Sequence, residues 1–266
     1  MNNKIATLCL SGGMDSTSLL LHLIRKKYSV YALTFNYGQK HSIEISKATK
    51  NVDYLISRGY DITHNIIDIK DSARLLSSSL TNNEKEVPSG YYEEENMKST
   101  VVPNRNAIFI SFLYGHSLSI SNQYKKNIDI SLGVHSGDHA IYPDCRKEFY
   151  DKILDAFEIG NWNDFNINLY LPYLNFNKSD ILKDALNSTK KLDLNFNTIF
   201  ENTITSYSPD KNGISKGDTG SDIERILAFN DLGLIDPIKY QNSWDEVLNN
   251  AKKIEKRFKS KIKNLK

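Results

Sequence analysis

An α/β fold built on a doubly wound parallel sheet, followed by a helical C-terminal region, is the architecture this sequence predicts. Three observations predict it. Short apolar runs alternate with amphipathic helical stretches through the first half of the chain, the pattern of a parallel sheet covered by helices on both faces. The first apolar run empties into Ser11-Gly12-Gly13-Met14-Asp15-Ser16, a strand-to-helix turn with the glycines that let a backbone approach a ligand closely. At 266 residues the chain is long enough to bury the core of one large domain.

Taken in order, strand-like runs occupy residues 5–10, 30–35, 66–69 and 128–133. Helical patterns separate them at residues 15–26, 41–57 and 104–119. Residues 75–100, rich in Ser, Asn and Glu, read as a surface excursion able to serve as a lid. Beyond about residue 170 the pattern is mainly helical. The organisation expected is a nucleotide-binding domain over residues 1–200 and a helical region over 201–266. Ligands of such sheets bind beyond the carboxyl ends of the strands. The segments after the first, second and fourth runs leave from those ends and should converge on one site.

Chemistry concentrates in those segments. In the first, backbone amides and the positive end of a helix attract an anion, so Ser11, Gly12, Gly13, Asp15 and Ser16 are expected to hold phosphate. No Gly-Lys-Ser/Thr follows the glycines, which separates this loop from the Walker type and favours cleavage between the first and second phosphates of a nucleotide. The second segment is Asn36-Tyr37-Gly38-Gln39-Lys40-His41, with Glu44 one turn on; Tyr37 and Gln39 suit a flat heterocycle. Val102-Pro103-Asn104-Arg105-Asn106 places Arg105 at a helix start, where a guanidinium can clamp carboxylate or phosphate. Gly133-Val134-His135-Ser136-Gly137-Asp138-His139 leads to Tyr142-Pro143-Asp144-Cys145-Arg146. Their histidines and acids lack transition-metal spacing, so Asp138, Tyr142, Asp144 and Arg146 read as substrate contacts and Cys145 as pocket lining. Lys178 opens a later helix against its dipole, a placement that makes sense if a polyphosphate sits there.

Composition narrows the partners. Thirty-four Lys and Arg against thirty-two Asp and Glu give a net charge of +2, no field for nucleic acid, although residues 252–266 carry eight Lys or Arg against one Glu. That tail places Ile254, Phe258 and Ile262 on one stripe of a basic helix. Cys9 and Cys145 form no paired framework, as expected of the reducing cytoplasm. No run approaches the length of a membrane span.

In this order the motifs resemble the QueC family of the PP-loop, or N-type ATP pyrophosphatase, superfamily, whose fold is adenine nucleotide alpha hydrolase-like. The matching strings are Ser11 to Ser16, Tyr37-Gly38-Gln39 with His41 and Glu44, Val102-Pro103 with Arg105-Asn106, Tyr142 to Arg146 with Glu148-Phe149, Lys178, and Asp236-Pro237 with Tyr240. The loop alone gives the superfamily; the Tyr-Pro-Asp-Cys-Arg string narrows it to QueC. The resemblance implies an ATP-dependent, AMP-forming carbon–nitrogen ligase. Such an enzyme adenylates 7-carboxy-7-deazaguanine with Mg²⁺, converts it to the amide with ammonia, and dehydrates the amide to 7-cyano-7-deazaguanine for queuosine biosynthesis. It further implies a homodimer, catalytic roles for Asp15, Lys178 and Arg105, and deazaguanine contacts from Tyr37, Gln39, Asp138, Tyr142, Asp144 and Arg146.

Two departures from the family pattern stand out. Four zinc-binding cysteines are replaced, at Lys216, Thr219, Asp222 and near Ser206 or Ser208, so no structural zinc is expected. Packing by Tyr207, Ile223 and Phe229 would have to order this segment. His135 stands where the family has Asn in an Asn-Ala pair after Gly-Val; a titratable ring there would serve as general base toward an amine. Both departures also fit a second implication, a likeness to QueC-like enzymes of antiphage loci such as CBASS operons, in which a protein amine accepts the activated deazaguanine.

Overall fold

A computed structural model describes residues 4–39, 43–76, 78–79, 95–135, 137, 142–162, 164–206, 209–210 and 212–265. The elements run β1 (Lys4–Cys9), α1 (Met14–Arg25), β2 (Tyr28–Asn36), α2 (Ile43–Ser57), β3 (Ile62–Asp68), α3 (Lys70–Ala73), α4 (Arg105–Tyr124), β4 (Ile128–Ser131), α5 (Lys147–Gly160), β5 (Ile167–Leu169), α6 (Lys178–Lys191), α7 (Phe196–Phe200), α8 (Gly220–Asp231) and α9 (Trp244–Leu265). The five strands lie in the order β3-β2-β1-β4-β5, all pairings parallel. From central β1 the chain steps outward through β2 to β3, then crosses back to β4 on the other flank. The reversal opens a crevice at the carboxyl ends of β1 and β4, where ligands bind in such sheets.

The period of two in β1 builds both faces of the sheet. Ala6, Leu8 and Leu10 join a core with Leu19, Leu20 and Leu23 of α1, Ala48, Val52 and Leu55 of α2, and Ile181, Leu182 and Ala185 of α6. Ile5 points the other way, into a core with Phe109, Ile110 and Leu113 of α4 and Tyr150 of α5. Thr7, on that second face, is buried with its hydroxyl 2.8 Å from Ser117 of α4, so this polar group is satisfied inside the core.

Three elements differ from the sequence expectation. β3 starts at Ile62 rather than 66, because it pairs only with β2 and this edge strand carries Thr63, His64 and Asn65, which hide the apolar signal. β5 spans three residues, too few to show a period. α4 continues to Tyr124 since Ile120 and Ser121 stay buried, and it stops where Lys125 turns left-handed at φ 55°. Of the excursion at 75–100, the described return is a 3₁₀ turn over Glu95–Thr100, tied down by Thr100 Oγ1, 2.5 Å from Tyr142 Oη.

The C-terminal elements close on the domain. Ile223, Ile226 and Phe229 of α8 are fully buried, Phe229 in the core of α1 and α6. Val247 and Ala251 of α9 pack against Ile223 and Ile226, with Ile254 alongside. Tyr207 and the side chain of Ile262 fall outside the described residues.

Candidate active site

The loop after β1 lies at the crevice. Its serine hydroxyls bond within the loop: Ser16 Oγ accepts from the Ser11 N–H at 3.2 Å, lies 2.9 Å from Ser11 Oγ, and is 3.3 Å from the Gly13 carbonyl. Ser11 Oγ also accepts from the Gly13 N–H at 3.2 Å. The hydroxyls thus hold the loop in shape while Gly13 caps α1 with extended backbone. Gly12 has φ +84°, and a Cβ there would collide with the Glu44 carbonyl of α2. Gly133, after β4, likewise lies against the backbone of Asp15 and Ser16. Gly12→Ala is expected to cost about 1–3 kcal/mol from backbone strain alone, with repacking of α2 in addition. Gly59→Ala provides the control, having φ +87° but nothing within 4 Å of an added Cβ. Thermal unfolding should show the Gly12 variant losing clearly more; equal losses would contradict the contact.

Opposite the loop, two helix starts meet. Lys178 begins α6 beside a capping box formed by Asn177 and Asp180, and its Nζ lies 2.6 Å from Asp15 Oδ2 in the first turn of α1. Glu224 Oε2 of α8 lies 3.8 Å from the same ammonium. Asp184 fixes α6 on α1 through Arg25 at 2.6 Å and His22 at 2.7 Å, which holds Lys178 in register with the loop. Asp15 Oδ1 is buried and has no hydrogen-bond partner among the described residues.

His135 lies just beyond the end of β4. Its ring is 1% exposed and lies behind Lys178: Nδ1 accepts from the Gly137 N–H at 3.0 Å, and Nε2 is 2.9 Å from Lys178 Nζ. The residue after Val134 follows the end of β4 inward, so the imidazole meets the ammonium instead of the cleft. The ring is therefore packed against Lys178 and is not among the residues that line the cleft.

The far end of the cleft is aromatic. Phe35 and Phe109 stack at 4.2 Å between centroids, and Tyr37 tilts against Phe109 at 5.6 Å. Arg105 hydrogen-bonds Tyr37, although burial still raises the phenol above its usual range. Burial also pushes the Cys9 thiol up to about 12. Glu44 enters from the first turn of α2; desolvation lifts its carboxyl to about 8, moderated by the Arg105 charge. Gln39 folds back, accepting from the Tyr37 N–H at 3.0 Å and donating to the Phe35 carbonyl at 3.2 Å.

One cleft of about 230 Å³ therefore collects Ser11, Gly13, Asp15, Ser16, Tyr37, Gln39, Arg105, Tyr142 and Lys178. Gly12 supports it from below. Asp144 and Arg146, expected as substrate contacts, are not among its lining residues, and Arg146 is exposed at the start of α5, whereas the buried Cys145 between them does line it. Asp138 lies outside the described residues. Sequence reading gave no role to Glu224, Asn106 or Thr205, because each reaches the site only through helix packing or a loop return.

The model of the queuosine biosynthesis protein QueC matches residues 5–233. The chain belongs to the QueC family. A 7-cyano-7-deazaguanine synthase of Psychromonas ingrahamii is 40% identical over 246 residues, 91% of this chain and 100% of that protein. Synthases of the same name from Methanoregula boonei and Caldicellulosiruptor saccharolyticus are 39% and 38% identical, covering 89% and 91% of this chain and 99% and 98% of theirs. Among the described residues no helix is long and apolar enough to cross a membrane, and no group of three or more His, Cys, Asp or Glu side chains could hold a metal ion.

Where the resemblance places family cysteines, this chain builds a polar knot. Asp222 Oδ2 accepts from Thr219 Oγ1 at 2.6 Å and Ser206 Oγ at 2.9 Å, and Ser215 Oγ reaches Ser206 at 3.2 Å. Lys216 is exposed. All three bonded partners and Asp222 are buried. Desolvation raises the Asp222 carboxyl above its usual value despite these donors. A raised native value means that the folded state holds the proton longer, so this residue's contribution is full below the unfolded value and is lost as pH rises through the native one. The stability of the wild type relative to Asp222→Asn should accordingly fall as pH rises above about 4. Chemical denaturation across pH measures that difference; a flat one would contradict it.

Proposed function

We propose that this chain activates 7-carboxy-7-deazaguanine with ATP and transfers nitrogen to it, forming 7-cyano-7-deazaguanine with release of AMP and pyrophosphate. The observation that carries this reading is the pairing of the Ser11–Ser16 loop with Lys178 at the crevice, joined in one cleft to the Tyr37, Phe35 and Phe109 wall. An anion-binding end and a heterocycle-sized aromatic end adjoin, as adenylation of an aromatic carboxylate requires. Family membership supports the same chemistry.

On this reading the amides and hydroxyls of Ser11, Gly12, Gly13 and Ser16 exchange their internal bonds for the β- and γ-phosphates. Lys178, held by Asp15, meets the charge that develops as pyrophosphate departs. Arg105 binds the substrate carboxylate or the acyl phosphate, and Tyr37 and Tyr142 flank the heterocycle. The unpartnered Asp15 Oδ1 suits Mg²⁺, which takes one or two carboxylates together with substrate phosphates; bound there, the ion would neutralise phosphate charge. Residues 1–200 then form the catalytic domain, and residues 201–266 support its loop, as the Ile204 N–H bond to the Gly12 carbonyl at 3.1 Å illustrates.

Incubation with ATP, Mg²⁺, 7-carboxy-7-deazaguanine and ammonium should yield AMP, pyrophosphate and the nitrile by mass spectrometry. AMP with neither amide nor nitrile would contradict the reading. A deazaguanine mass added to the protein product of a neighbouring gene would instead assign the activated group to a protein amine.

A further inference from the structure

Nitrogen transfer needs a proton acceptor, and among the described residues the cleft offers few. An ammonium or protonated amine is no nucleophile until it loses a proton, and an ordinary carboxylate near pH 4 is a weak base for that purpose. Lys178 and Arg105 are cations, and Cys9 and Tyr37 are raised well away from neutral pH. His135 lies behind Lys178 and outside the cleft lining. Two carboxylates line the cleft among the described residues, Asp15 and Glu44. Asp15 is in contact with Lys178 at the phosphate end. Glu44 is carried by the first turn of α2, its backbone against Gly12 and its carboxyl near Arg105 and Tyr37.

We propose that Glu44 is the general base of nitrogen transfer, its carboxylate both attracting a cationic nitrogen donor and taking its proton. The inference rests on the ligase reading and adds the residue that readies the donor. The incoming ammonium, or protonated primary amine, gives one proton to Glu44. Its freed lone pair forms the C–N bond at the carbonyl carbon of the acyl adenylate, the C–O bond to AMP breaks, and the second nitrogen proton leaves on the departing phosphate. Glu44 returns its proton to water on product release. The charged and titratable groups that interact with it are Arg105 of α4 and Tyr37 after β2, and Cys9 and Tyr142 line the same cleft. Desolvation raises the carboxyl to about 8 against the opposing charge of Arg105, close enough to an amine for efficient transfer near neutral pH.

The test separates the two half-reactions in Glu44→Gln. Carboxylate-dependent exchange of pyrophosphate into ATP should stay within about threefold of wild type, while transfer from ammonium falls on the order of 10²-fold or more. The wild-type transfer rate should climb with pH through the Glu44 carboxyl near 8, whereas the variant should lack that limb and rise only as the donor itself loses its proton at higher pH. Hydroxylamine, neutral at pH 7 and needing no base, should restore transfer in the variant far more than it speeds the wild type. Glu44→Asp, which keeps the base but draws it back, should retain the limb at an intermediate rate, and serves if the Gln variant folds poorly. Equal loss of exchange and transfer, or a limb unchanged in Glu44→Gln, would overturn the inference alone. Absence of exchange in wild-type protein would overturn the ligase reading and the inference with it.

Discussion

Replacing Lys178 with Ala is expected to lower kcat for AMP formation by about 10²–10³-fold, the usual loss when one preorganised charge donor is removed from a developing anion. The ammonium sits between Asp15 at 2.6 Å and Glu224 at 3.8 Å, against the start of α6. A cation at a helix start is unfavourable by a few tenths of a kcal/mol, and the two carboxylates offset that cost in the free protein. On the proposed reading Asp15 would hold Mg²⁺ when polyphosphate binds, and the ion would offset the added negative charge. Steady-state AMP release measures the loss, with folding checked by circular dichroism. A decrease below about tenfold would contradict the role assigned to Lys178. His135→Ala should produce a smaller version of the same defect, since it acts through Lys178.

The second large effect concerns stability. Arg225 is fully buried and makes a bidentate pair with Asp236 at 2.6 and 2.9 Å. It also donates to Thr203 at 2.8 Å, Thr205 at 3.0 Å and the Phe200 carbonyl at 3.3 Å. Tyr240 donates to the same carboxylate at 2.8 Å. Arg225→Met leaves Asp236 buried without its cation, an arrangement that typically costs about 3–5 kcal/mol. For a domain of this size the melting temperature should drop on the order of 10 °C. Adding Asp236→Leu should recover much of the loss, because it is the unpaired charge rather than the missing pair that destabilises. A shift within about 1 °C for Arg225→Met would contradict this picture. The residues this pair ties down include Thr205, part of the cleft wall, so the defect should also weaken ATP binding.

The sheet was legible because its central strands are apolar on both faces: Ala6, Leu8 and Leu10 meet one layer of helices and Ile5 the other. The loop was legible because glycines and serines between a strand and a helix have few alternative uses. Edge elements were not. β3 hides half its length in Thr63, His64 and Asn65, and β5 is three residues long. Tyr37, Arg105, Tyr142 and Lys178 converge from four separate segments, which their order and neighbouring motifs suggested. The side to which the His135 ring turns, toward Lys178, is not legible in the sequence, which gives only a residue's chain neighbours. Glu224 was missed for the complementary reason: only the packing of α8 beside α6 brings it to Lys178. The polar knot at Asp222 shows how hydroxyls and one carboxylate can tie together the turn before α8.

The central claim is that the Ser11–Ser16 loop and Lys178 serve to activate a carboxylate as its adenylate. Exchange of labelled pyrophosphate into ATP, with 7-carboxy-7-deazaguanine present and every nitrogen source withheld, tests it most directly. The account predicts exchange that requires the carboxylate and disappears in Lys178→Ala. ADP as the nucleotide product, or exchange indifferent to the carboxylate, would contradict it.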